Sequence, residues 1–469
     1  MTSPAPNNDY EVLSIKEVAR LLVRSKAGLA GALILLSLIL LSIYAAAAVP
    51  LEYYKQWNNP IFWQDYPKTA APAWTNTDGG LVKHTILTAG DAQKSETNDQ
   101  GIRSVTYSWK INFNYDSFPT DFVLSSTANY SQQPILQLDV FRPDGKDFRI
   151  YYSTLPATQG MEFTTFTKRI TSSDQLVQSN LQNYLGEFKC EQDPSKPTVM
   201  LFSNLQNCSV LKGTYTVTET MYFFTNSDTL EDSKFVVGGQ VYGLMGTDDQ
   251  GRDLSVGILW GAPVALFIGL TVAIASTFIG LFYGVFAGYK GRYTDEGMMR
   301  ANDIFYSLPV LPLLIILSVS IGRSIFLFVG FLVLFGWVGM AKIGRSLALQ
   351  IKNLQYVEAA ELMGESGIKI IIKHIIPQLL PIAFASIAIA VPAAILGEAA
   401  LSFLGLGDPS IPTWGRILHD ANSAGAIARG IWWWTMIPGF MIALTGIAFI
   451  LIGNSLNSVL NIKSRVRAQ

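Results

Sequence analysis

Charge is scarce in this chain: Asp, Glu, Lys and Arg make up 15% of its 469 residues, against about a quarter in ordinary soluble domains. That shortage, beside a hydrophobic content of 49% and a net charge of -1, points to lipid as the solvent for much of the chain. No block of lysine and arginine breaks the near-neutral balance. Nucleic acid is therefore set aside as a main partner, since that binding rests on phosphate neutralisation. Cysteine and histidine are also sparse, at two and three residues. Their scatter offers no zinc set and no thiol–histidine pair, so neither a metal nor a cofactor is expected. A phosphate loop is missing as well: Gly145-Lys146 is followed by Asp147 and lacks the upstream glycine. Any nucleotide must then be bound by another chain, and this one is expected not to be an enzyme.

Long apolar runs are abundant, each near the roughly 20 residues that a helix needs to cross a hydrocarbon core. The first covers residues 27–49. It exceeds the ~7–15 residues of a signal-peptide core, and no small-x-small cleavage site stands apart from its alanines, so a retained helix is expected. Five further runs, 254–288, 304–322, 325–341, 379–401 and 432–452, bring the expected spans to six. The reading is an all-α polytopic membrane protein. It has an N-terminal segment 1–26, a first helix 27–49, an inserted β-rich domain 50–243, a helical core 244–460 and a tail 461–469. Pro309, Pro312, Pro381, Pro392 and Pro438 mark places where these helices can bend.

Positive residues near helix ends favour the cytoplasmic side. Lys16, Arg20, Arg24 and Lys26 precede the first span. Lys290, Arg292 and Arg300 follow the second; Lys342, Arg345, Lys352, Lys369 and Lys373 follow the fourth; Lys463, Arg465 and Arg467 follow the sixth. All fall on one face of a six-span chain, and the opposite short loops carry only Arg323, Arg416 and Arg429. Both termini are therefore expected in the cytoplasm, with residues 50–253, the turn at Arg323 and the loop 402–431 outside the membrane. Tyr53, Tyr54 and Trp57, and Trp432, Trp433 and Trp434, suit an outer interface belt or packing within the bundle.

The segment after the fourth span reads Tyr356-Val357-Glu358-Ala359-Ala360-Glu361-Leu362-Met363-Gly364 and continues to Lys373-His374-Ile375-Ile376-Pro377. Glu358 through Met363 are strong helix formers, the alanines let such a helix seat deeply, and Gly364 permits a tight turn or a close backbone approach. A Glu-Ala-Ala triplet alone suits any solvated amphipathic helix. Here Glu358, Ala359 and Ala360 are followed at fixed spacing by Gly364 and by the pair Ile376-Pro377, between apolar spans. That pattern resembles the signature loop of binding-protein-dependent ABC importer permeases, in which the loop docks into a separate ATPase subunit. His374 and Ile376 depart from the general pattern, which prefers an aliphatic residue and Leu, towards the dipeptide and oligopeptide branch, second-permease type. Gly246-Thr247-Asp248-Asp249-Gln250-Gly251-Arg252-Asp253 and Leu401-Ser402-Phe403-Leu404-Gly405-Leu406-Gly407, the latter followed by Pro412-Thr413-Trp414-Gly415, resemble segments of the same branch.

The resemblance covers residue 246 to about 460 and not 50–243. It implies a permease subunit forming half of a pore in the lipid bilayer. The implied partners are a homologous permease subunit, ABC ATPase subunits at the Glu358 loop and an extracytoplasmic substrate-binding protein. Peptides are the implied cargo; oligosaccharides or nickel chelates are alternatives, and a membrane-anchored surface receptor is the rival class. Asp248, Gly251, Arg252 and Asp253 read as a capped helix start with a local ion pair, or as a gating or binding-protein contact. Glu398 is an ionisable residue inside an apolar run, and so a functional candidate: an anchor for the outer loop near Ser402, or a gate.

In the inserted domain, 135–141 and 148–152 flank Arg142-Pro143-Asp144-Gly145 as a hairpin, one of several strand-like runs that suggest a sandwich. Cys190 and Cys208 both fall in the part placed outside, where oxidation is permitted, so one disulfide is expected. Asn129-Tyr130-Ser131 and Asn207-Cys208-Ser209 are glycosylation triplets.

Overall fold

The computed structural model describes residues 25–49, 55–99, 101–157, 163–188 and 196–466. Lys16, Arg20, Arg24, Tyr53, Tyr54, Cys190 and Arg467 lie outside the described residues. Two compact units emerge: Met1–Asn58 with Val256–Gln469, and Asn59–Ser255. Helix α1 (Lys26–Ala48) comes first. Strands β1 (Thr85–Thr88), β2 (Gln93–Asp99), β3 (Ile102–Phe113), β4 (Phe122–Tyr130), β5 (Ile135–Phe141), β6 (Asp147–Thr154) and β7 (Thr164–Thr171) follow. Helices α2 (Gln175–Gln182) and α3 (Pro197–Phe202) lead to β8 (Gly213–Phe223) and β9 (Thr229–Val237). The rest is helical: α4 (Leu254–Lys290), α5 (Arg292–Ser307), α6 (Val310–Ile321), α7 (Ile325–Ile351), α8 (Gln355–Leu362), α9 (Gly367–Phe403), α10 (Trp414–Ser423) and α11 (Trp432–Val466).

The Asn59–Ser255 unit is built on two antiparallel sheets, ordered β1-β9-β4-β7 and β2-β3-β8-β5-β6. Side chains alternate across each strand, so Val105, Tyr107 and Trp109, Phe122, Leu124 and Ala128, and Tyr215, Val217 and Met221 all enter one core. The hairpin legible in the sequence is β5–β6, with Phe141 opposite Asp147 and Gly145 turning the chain at φ +81°. Glu219 interrupts the apolar pattern. It sits on the inward face of β8, fully buried, and accepts a hydrogen bond from the Ser233 hydroxyl of β9. Burial pushes its carboxyl up to about 7.

In the helical unit, Ser25 caps α1 by accepting from Gly28 N at 2.9 Å. Gly31 lets α1 approach α11 closely: a Cβ there would lie 2.7 Å from the Ala448 carbonyl oxygen. A second small-residue stripe joins α4 to α7, where a Cβ at Gly280 or Gly284 would lie 2.3 Å from Trp337 O or 2.0 Å from Ala341 O. Spacing of four puts both glycines on one helix face, and backbones can then pack directly.

Among the described residues, five helices are long and apolar enough to cross a membrane, and six spans result if α5 and α6 together count as one bent span. The continuous span expected over 304–322 is corrected here: α5 ends at Ser307, and α6 leaves at an angle of 73°. Pro309 removes a backbone donor and drives Leu308 out of the helical region, to ψ 132°, which breaks the run. Conversely, α7 continues ten residues past the expected end at Ala341, to Ile351, because its polar last turns still favour helix.

Candidate functional site

The Glu358 segment folds as α8, one face of which is packed. Val357 and Ala360 join Leu281, Val285, Ile370, Ile371 and Ile375 in a buried cluster, while Glu358 and Ala359 point outward. Leu362 and Met363 at the tip are 86% and 82% exposed. The helix ends in a Schellman motif: Gly364, at φ +84°, donates to Glu361 O at 3.0 Å, and Glu365 N donates to Ala360 O at 3.1 Å. A left-handed residue is required there, which glycine adopts without Cβ strain. Of the two alternatives for Gly364, the tight turn is the one formed; no atom lies within 4 Å of a Cβ built on it.

The return path is tied back to α8. Gln378 Nε2 donates to the Tyr356 hydroxyl, and Glu365 Oε2 lies 2.7 Å from His374 Nε2. Pro377 stands inside α9, two residues past the end of the π-helical segment Ile371–Ile375. Its ring would crowd the carbonyl one turn back, and one extra residue in that turn relieves the contact. A bidentate pair on the same end of the bundle, Arg345 Nε and Nη2 to Asp295 at 2.5 and 2.6 Å, clamps α7 to α5. Sequence reading named neither this clamp nor the Glu365–His374 contact. Arg345 was legible only as one of the positive residues after the fourth span, and His374 only as a departure from the general loop pattern.

At the far end of α9, Glu398 is 7% exposed and accepts from Ser402 Oγ at 2.5 Å, with the Thr413 side chain as a second partner. The intervening loop is pinned on both sides. Ser318 Oγ donates to Leu406 O at 3.0 Å, and Ile325 N donates to Asp408 Oδ2 at 3.2 Å. A narrow cavity here is lined by Ser324, Phe328, Glu398, Leu406, Gly407 and Thr413.

Asp248, Gly251, Arg252 and Asp253 form a local knot within the Asn59–Ser255 unit. Asp248 Oδ1 accepts from Gln250 N and Arg252 N, both at 2.9 Å, and Oδ2 meets Arg252 Nε in a buried ion pair. Burial pushes the Asp248 carboxyl up, with Arg252 opposing. Asp253 Oδ1 accepts from Ser255 N at 2.8 Å and so caps the start of α4. Gly251 has φ +81°, and a Cβ would meet Tyr66 O at 2.9 Å. Among the described residues no cysteine is free; Cys208 is buried, and its expected partner Cys190 lies outside them. Among the same residues, no group of three or more His, Cys, Asp or Glu could hold a metal ion.

Residues 280–466 match the family described as binding-protein-dependent transport system inner membrane component. The chain is 39% identical over 221 residues to the dipeptide transport system permease protein DppC of Bacillus subtilis, covering 47% of this chain and 68% of the relative. The oligopeptide transport system permease protein OppC of the same organism is 36% identical over 47% of this chain and 72% of its own length. OppC of Escherichia coli is 34% identical over the same shares, 47% and 72%. A solved chain titled "CBM4 structure and function" covers 33% of this chain and 83% of its own length, at 9% identity and a TM-score of 0.13, too low to bear on the fold.

Proposed function

The chain belongs to the binding-protein-dependent inner membrane permeases of ATP-driven peptide importers, and from that membership we propose that it forms one half of a translocation pore for peptides. A homologous permease subunit completes the pore, separate ABC ATPase subunits hydrolyse ATP, and an extracytoplasmic binding protein delivers cargo. Both termini lie in the cytoplasm and residues 50–253 outside, in keeping with the asymmetry of Lys and Arg.

The observation that carries the coupling assignment is the outward face of α8. Leu362 and Met363 stand almost fully exposed beside Glu358, and an apolar pair at a charged tip is the kind of patch that a protein partner covers. Force applied there has a physical route. Val357 and Ala360 press on Ile370, Ile371 and Ile375 of α9, a helix of 37 residues and thus about 55 Å long at 1.5 Å per residue. Its other end holds the outer loop through Glu398, Ser402 and Thr413. In this reading Glu398 anchors the loop, and Pro381 and Pro392 allow α9 to bend between the two ends.

Glu358→Lys tests the assignment. The side chain is solvent-exposed, so the variant is expected to reach the membrane in normal amount and to lose co-purifying ATPase together with uptake. Wild-type ATPase recovery and uptake would remove α8 from the coupling role.

A further inference from the structure

We propose that Glu365 and His374 are positioning residues: a clasp that fixes the angle between α8 and the span it drives. The inference rests on the coupling role of α8 proposed above. Directly after the Gly364 turn, the Glu365 side chain reaches back to His374 Nε2 at 2.7 Å, with Lys373 Nζ at 3.8 Å. Both Glu365 and His374 are about one fifth to one quarter exposed, 21% and 24%, so the contact is partly shielded from water. The His374 hydrogen bond is also the main reason that the Glu365 carboxyl is held below its usual range.

A second tie lies one turn further on, from Gln378 to the Tyr356 hydroxyl. The two ties grip α8 near its start and just past its end, and both land on residues 374–378 of α9. Apolar packing of Val357 and Ala360 holds α8 down but fixes its angle only loosely, since burial is non-directional and these are the two buried side chains of this short helix. Hydrogen bonds at two separated points supply the missing direction. The arrangement also gives a physical meaning to the histidine at this position, because an aliphatic side chain there leaves Glu365 with no ring nitrogen to meet.

Two measurements on the full chain decide the matter. Spin labels at Leu362→Cys and Ile372→Cys are expected to give a narrow distance distribution. His374→Leu should broaden it, and His374→Lys, which keeps a hydrogen-bond donor for Glu365, should narrow it again. In the reconstituted transporter, with partner permease, ATPases and binding protein, His374→Leu should keep its bound ATPase. It should lower peptide uptake per ATP hydrolysed by about fivefold, the scale of one partly exposed hydrogen bond, and His374→Lys should restore uptake to near the wild-type ratio. An unchanged distance distribution, unchanged uptake per ATP, or a loss that lysine does not rescue overturns the clasp. If the wild-type chain binds no ATPase, the coupling role itself fails and takes the clasp's function with it, while the label distances still report whether the geometry is held.

Discussion

Gly364 shows how a single position can shape both a local fold and the surface proposed to dock a partner. Its left-handed φ of +84° closes α8 and throws Glu365 back over the turn. Gly364→Ala adds a Cβ strained by about 1 kcal/mol at that φ. The expected outcome is a near-normal yield of folded protein, with ATPase binding weakened several-fold on titration. Glu219 is a residue whose environment no sequence pattern announced: β8 alternates as a buried strand should, and a carboxyl stands where an apolar side chain is expected. Its folded-state value of about 7 lies above the ordinary 4.5. The stability from its protonated form is therefore complete below about 4.5 and lost as pH rises towards 7, in total roughly 3 kcal/mol. Hydrogen-exchange protection of β8 and β9 in the full chain should fall over that window. Glu219→Gln, which stays neutral, should flatten the dependence; a pH-independent wild type would contradict the assignment.

Among elements, apolar runs located the helices but not their ends. Hydropathy marks where lipid is tolerated, whereas helix continues wherever hydrogen bonding and propensity allow, so α7 and α9 extend well beyond their apolar stretches through Lys342, Arg345, Lys369 and Lys373. Pro309 was legible as a bend point, and the 73° break follows from its missing donor; the size of the bend depends on packing that single-residue rules do not contain. The strand periodicity that suggested β5 and β6 held, because a tight turn at Gly145 links neighbours in sequence. The order β2-β3-β8-β5-β6 was not legible, since it pairs strands more than one hundred residues apart. Cys208 belongs to the same unit, and its proposed bond to Cys190 closes a loop whose constraint is worth about 3 kcal/mol. Mass analysis of denatured, non-reduced chain should find no free thiol, and reduction should lower its unfolding temperature. Two alkylatable cysteines before reduction would exclude the bond.

For the whole molecule, the resemblance to the family was legible in a short loop rather than in the bundle. Glu358 and Ala359 are exposed on α8 and Gly364 closes it, so these residues shape a surface and not a core. Glu398, by contrast, was legible as a charge in an apolar run with Ser402 as a nearby partner; the fold adds the hydrogen bond from Ser402 and, from beyond the intervening loop, Thr413 as a second partner. The central claim is that this chain is the pore-forming, ATPase-coupled half of a peptide importer. The most direct measurement is uptake of labelled peptide into vesicles reconstituted with the partner permease, ATPases and binding protein, with and without this chain. The account predicts accumulation that requires both ATP and this chain; equal accumulation in its absence would contradict it.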